Sequence, residues 1–243
     1  MPMEPGRCTA SQGLNWFRQA WTLFTGNAGG WVVLGLSYLL ISFVLGLVPM
    51  LGGLVLMLIN PALLAGLLYA AREQDQGRPI APGMLFRAFR GDGRLPALLV
   101  LGLLQLLVPL LLVPLGMMLM GGMPGMGHVS GDVPAPEVTL GVLAALLLVL
   151  ALSLGVILLF LYAVPLVMFD GLEPLAAIRL SLAAGMVNLL PLTLLGLVFL
   201  PLWLFAVATF GLGFLLVVPL SLICVYTSYR DIFRPRFSLD ARA

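Results

Sequence analysis

Residues 31–71 read WVVLGLSYLLISFVLGLVPMLGGLVLMLINPALLAGLLYAA, a run of 41 residues without one Asp, Glu, Lys, Arg or His. As a single helix rising ~1.5 Å per residue it would reach about 61 Å, twice the ~30 Å hydrocarbon core of a bilayer, so it must fold into two crossings. Pro49, Gly52 and Gly53 place the turn near its middle. A second uncharged run of the same length, residues 189–229, carries Gly211 and Gly213 near its centre and reads the same way. Between these hairpins lie two further apolar runs, residues 95–119 and 140–168, separated by the polar segment 121–137.

The expected spans are therefore 31–49, 52–71, 95–119, 140–168, 189–207 and 210–229. The fold class is all-α: an integral membrane bundle of six transmembrane helices arranged as three hairpins. A cytoplasmic segment 1–30 precedes the domain 31–229, and a cytoplasmic tail 230–243 follows it. The fourth run exceeds a perpendicular crossing and is expected to tilt, to extend beyond the bilayer, or to break near Ser153 to Gly155. Pro109, Pro114, Pro165, Pro201 and Pro219 fall inside spans and predict kinked helices.

Composition agrees. Of 243 residues, 61% are hydrophobic and 9% charged, with a mean hydropathy of +1.13; a soluble domain needs about a quarter charged residues to wet its surface. The net charge of +2 is too small and scattered for a nucleic-acid face. Cys8 and Cys224 have no local partner and no C-x-x-C spacing, which excludes a disulfide framework.

Arginine tests the topology separately, because positive charge is retained on the cytoplasmic side of short loops. All 12 basic residues are Arg. With six spans and both termini cytoplasmic, every one falls on that side, and none lies in the turns near residues 50 and 208 or in 121–137. Localisation in a bacterial inner membrane follows. The apolar run opening at Trp31 is long enough to span and lacks a small-residue cleavage site, so the first span is expected to stay as an anchor.

The outer hairpins look related. A shift of 161 places Arg18 on Arg179 and Asn27 on Asn188; a shift of 158 places Pro61 on Pro219 and Arg72 on Arg230. Two crossings per unit make such a pseudo-repeat parallel, with the central hairpin a weaker third copy. Before the first span, Leu14, Phe17, Trp21 and Phe24 recur at helical spacing. That pattern predicts a short cytoplasmic interfacial helix with Trp16, Arg18 and Trp21 as anchors; residues 84–89 with Arg87, and 176–184 with Arg179, are expected to do likewise.

Gly13-Leu-Asn-Trp16, Trp21-Thr-Leu-Phe24, Asn60-Pro61-Ala-Leu-Leu-Ala-Gly66 and the loop from Gln76-Gly77 to Leu85-Phe86 resemble a family of uncharacterised proteobacterial multi-pass inner-membrane proteins. The likeness covers most of the chain and is firmest over residues 13–90. It implies a helical inner-membrane protein with no assigned reaction, and carries over no catalytic residues.

No expected span holds Asp, Glu, Lys, Arg or His, which removes the usual material of proton relays and ion-coupled carriers. The polar or kinked positions left near the bilayer midplane are Asn60, Pro61, Gln105 and Pro219. They could line a neutral pathway, but their commoner role is hydrogen bonding between helices, at about 0.6 to 2 kcal/mol each. Ala62, Gly66 and Ala70 form a small-residue seam that reads first as intramolecular packing. His128, with Asp132, Glu137, Met123 and Met126, matches no known ligand spacing and reads as part of a tether. Hydrolase, nucleotide and zinc motifs are absent.

The sequence thus predicts a non-enzymatic membrane protein without metal or cofactor, acting as a structural or helper component of the envelope. The alternative is a passive or partner-driven carrier of a small apolar or amphipathic solute or lipid. Expected partners are membrane lipid and a protein within the membrane, not nucleic acid.

Overall fold

A computed structural model describes residues 4–91, 93–119 and 140–233. The His128 segment and the arginines beyond Arg230 lie outside the described residues. Among those described there is no strand. The elements are α1 (Ala10–Gly26), α2 (Ala28–Gly46), α3 (Leu51–Asp75), a 3-10 segment (Pro82–Phe89), α4 (Leu95–Leu119), α5 (Leu140–Leu161), the short α6 (Ala163–Pro165) with a π-helical turn (Leu166–Asp170), α7 (Pro174–Val187), α8 (Leu189–Ala208) and α9 (Phe214–Phe233).

Among the described residues six stretches are long and apolar enough to span: α2, α3, α4, residues 146–170, α8 and α9. A 20-residue helix such as α8 or α9 measures about 30 Å, the thickness of the hydrocarbon core. At 25 residues α3 is longer, so its last turn carries Arg72 to Asp75 past the apolar zone. The outward faces are greasy: Phe43 is 65% exposed, Leu111 70% and Leu204 65%. In water such a surface would aggregate; in lipid it is the solvated face.

α9 is the central post, with 61% of its apolar window buried against 17% for α2 and α4. It packs on α1, α2, α3 and α8, while α3 packs on α2, α4, α9 and the 3-10 segment. The carbonyl that Pro219 frees, that of Leu215, faces Gly35 of α2. The α2–α3 and α8–α9 turns are each capped by a bulky residue in left-handed backbone, Met50 (φ 61°) and Phe210 (φ 51°), both pointing fully outward.

Two interfacial elements are more deeply engaged than an amphipathic pattern suggests. In α1 the buried face is Gly13, Trp16, Ala20 and Phe24, packed across α8 and α9, while Leu14 and Trp21 point outward. Gly13 permits this approach, because a methyl group there would run into the Pro191 carbonyl. Within the seam of Ala62, Gly66 and Ala70, all buried, the 3-10 segment packs on α3 at Gly66, where a side chain would collide with the Leu85 backbone. The nearest neighbours of Gly66 are the backbone atoms of Leu85 and Met84 in that segment.

The fourth span breaks at Tyr162, not near Ser153 to Gly155, where α5 runs on unbroken. The cause is a side chain from α7. Ser181 Oγ accepts from the Tyr162 amide at 2.9 Å and donates to the Leu158 carbonyl at 2.7 Å, standing where the helical bond between those two groups would be. Pro165 adds to the break by withholding an amide from Leu161.

Candidate functional site: a polar cavity where three helix ends converge

The described apolar runs ending at Arg72, Asp170 and Arg230 come from distant parts of the chain, yet α3, the π turn and α9 meet there. Tyr226, Tyr229 and Arg230 fall at i, i+3 and i+4 on one face of α9, and Arg72, Asp75 and Gln76 share the same spacing on α3. Together with Phe169 of the π turn they line a cavity of about 280 Å³.

The cavity is held by a network. Arg230 Nη1 donates to Asp75 Oδ2 at 2.7 Å, and the Tyr226 hydroxyl donates to the same oxygen at 2.9 Å. The other Arg230 amino group reaches Gln19 of α1, and its Nε lies 3.4 Å from Asp231 Oδ1. Trp16 Nε1 donates to Asp231 Oδ2 at 3.0 Å, and Tyr229 donates to Asp170. The Arg72 guanidinium carbon sits 5.1 Å over the Phe169 ring. At one edge Gln74 joins three helices: it accepts from Trp31 Nε1 at 2.7 Å and donates to the Leu23 carbonyl at 2.7 Å.

With side chains 14% and 20% exposed, the Arg230–Asp75 pair is mostly out of water. Desolvation then offsets much of its attraction, and its role is to hold α9 and α3 in register. The same network brings α1 to this end of the bundle. Gly6 N donates to the Ile232 carbonyl at 2.9 Å, so the first described residues and the last described helix end lie on one face of the bundle. Asn188 clamps that segment, accepting from Cys8 N at 2.7 Å and donating to the Gly6 carbonyl at 3.0 Å.

The residues singled out in the sequence lie elsewhere. Asn60 Oδ1 accepts from the Tyr38 hydroxyl at 2.9 Å, tying α3 to α2. Pro61 and Pro219 are buried within α3 and α9, and Gln105 is half-buried on α4. Neither Asn60 nor Gln105 lines the polar cavity or the apolar groove between Phe24, Val32, Phe205 and Leu216. Of the expected anchors, Arg18, Trp21 and Arg179 are exposed and Arg87 lies 5.2 Å over the Tyr69 ring. Trp16 is the exception: it is fully buried on α9, because its indole N–H finds Asp231 inside the bundle. Sequence reasoning missed Tyr226, Tyr229, Asp75 and Asp170. The available signal was a polar stripe at i, i+3, i+4 closing an otherwise apolar helix. Among the described residues no group of His, Cys, Asp and Glu is arranged to hold a metal.

The chain is similar to a probable inner membrane protein of Burkholderia thailandensis, 34% identical over 85 residues. This is a multi-pass inner-membrane protein. The match covers 35% of the chain and 32% of that relative, so the aligned stretch spans about a third of each. No known family profile matches this membrane protein, and no solved structure does.

Proposed function

We propose that this membrane protein is a non-enzymatic helper of the envelope, a rigid helical platform for a partner in the plane of the bilayer, with its arginine-bearing face cytoplasmic. The observation that carries the reading is the seam at Gly66, filled by the 3-10 segment with backbone against backbone. Two polar pairs inside the spans, Tyr38 with Asn60 and Tyr162 with Ser228, bond across helices and hold them together. The carrier alternative draws on the prolines and on the broken fourth span, since interrupted helices are where carriers bind and move.

Photo-crosslinking amino acids placed at Phe43, Leu110 and Leu204, outward on three helices, separate the two in living cells. The helper reading expects a discrete protein adduct from at least one position. Lipid adducts alone at all three, together with solute flux in liposomes containing the pure protein, would replace it with the carrier.

A further inference from the structure

We propose that the cavity between α3, the π turn and α9 binds a phosphate-bearing anion through Arg72, supplied either by a lipid headgroup or by a soluble phosphate. The inference does not depend on the helper reading.

Three observations converge on it. The first is an unengaged donor set. Arg72 lies half-buried on the cavity wall with its guanidinium carbon 5.1 Å over the Phe169 ring, and among the described residues no hydrogen bond uses its side-chain N–H groups. A cation–π contact consumes none of the five N–H donors as a hydrogen bond to oxygen, and the planar fork matches phosphate oxygens. Donors half withdrawn from water gain most from an acceptor that enters the cavity.

The second is charge. The wall carries two guanidiniums and one carboxylate. Asp75 is already matched by Arg230 and Tyr226, and Arg230 is further engaged by Gln19 and Asp231. Asp231 and Asp170 lie just outside the lining, on Arg230 and Tyr229, so of the two wall guanidiniums Arg72 is the one that no carboxylate among the described residues hydrogen-bonds. Tyr229, whose hydroxyl donates to Asp170, also lines the cavity.

The third is depth and size. Arg72 and Arg230 are each the first charged residue after a 41-residue apolar run, and Asp170 ends the fourth span. The cavity therefore lies where the apolar spans end, the level at which a bilayer's lipid phosphates begin. About 280 Å³ is at the small end for ligand pockets, suited to a headgroup-sized anion and not to a large organic molecule.

The test uses the full-length protein in a phosphate-free maltoside detergent. Inorganic phosphate is titrated in one arm and short-chain phosphatidylglycerol in the other, with binding read by native mass spectrometry and by the thermal midpoint. Wild type should bind at least one of them saturably and unfold at a higher temperature. Phosphate binding would identify a soluble source; lipid binding without phosphate binding would identify a headgroup. Arg72→Gln should bind roughly tenfold or more weakly, from the loss of charge-assisted hydrogen bonds. Arg72→Lys should fall between the two, and Arg179→Gln, outside the cavity, should match wild type. If Arg72→Gln does not fold, Arg72→Lys decides: unchanged affinity overturns the proposal and weakened affinity supports it. Absence of saturable binding to wild type in both arms, or Arg72→Gln binding as tightly as wild type, also overturns it.

Discussion

Arg230 on α9 donates to Asp75 on α3 across 2.7 Å, joining the ends of the two most buried helices at the edge of the apolar zone. Removing Asp75 takes the nearest carboxylate from a mostly buried guanidinium and leaves it only the longer contact to Asp231 at 3.4 Å and the bond to Gln19. Asp75→Ala should therefore destabilise the solubilised protein by about 3 kcal/mol, the low end for buried pairs because both side chains remain partly wet. The double replacement Asp75→Asn with Arg230→Gln should cost less than the sum of its singles. Denaturant unfolding in detergent checks this through a double-mutant cycle, with an expected coupling of about 1 to 3 kcal/mol. Strict additivity would show that the pair does not hold the helices together.

Ser181 replaces a backbone hydrogen bond of the fourth span with two of its own. Ser181→Ala should leave the Tyr162 amide and the Leu158 carbonyl facing each other across a gap and cost about 1 to 3 kcal/mol. Hydrogen exchange should quicken over residues 158–166 and remain unchanged at Asn60. Uniform quickening along the chain would mean that Ser181 supports the whole bundle and not this break.

Gly66→Ala should cost about 1 to 3 kcal/mol by forcing the 3-10 segment off α3. Gly53→Ala, on the same helix with open space around it, should be neutral or slightly stabilising. Equal thermal midpoints for the two variants would contradict the close approach at Gly66.

The spans could be read from sequence because lipid offers no partner to an unbonded backbone, so uncharged length alone announces a helix. The limits of residues 31–71 and 189–229 fall within a few positions of α2–α3 and α8–α9 for that reason. The polar cavity was not readable. Asp75 and Arg230 are 155 positions apart with Phe169 between them in the chain, and Tyr226 and Tyr229 sit within an uncharged run where a tyrosine reads as an interfacial ring. The same holds for the break at Tyr162, whose cause is a serine 19 residues away on another helix. Trp16 shows how a pattern misleads: helical spacing marked the apolar stripe of α1, yet the side buried on α9 is set by small residues, Gly13 and Ala20, that carry little hydropathic weight.

Cys8 gives a pH-dependent test of how the first residues dock. Partial burial pushes its thiol above the ordinary value of 9.0, and the nearby Asp231 charge adds to the rise. A raised pKa means less thiolate at any given pH below it, so alkylation should be slower than for a free cysteine peptide and should accelerate as pH rises toward and past that value. Asp231→Asn removes the charge, lowers the thiol pKa and should speed labelling. Cys224 is buried and should react only after unfolding. Peptide-like reactivity of Cys8 at pH 8 would show that residues 6–8 do not stay against Asn188 and Ile232.

The most direct measurement is topological. A paired phosphatase and fluorescent-protein reporter is fused at residue 127 and, separately, after residue 243, and expressed in bacterial cells. Six spans with the arginines held on the cytoplasmic face predict phosphatase activity without fluorescence at 127, and fluorescence without phosphatase activity at 243. Both fusions reporting from the same side would contradict it.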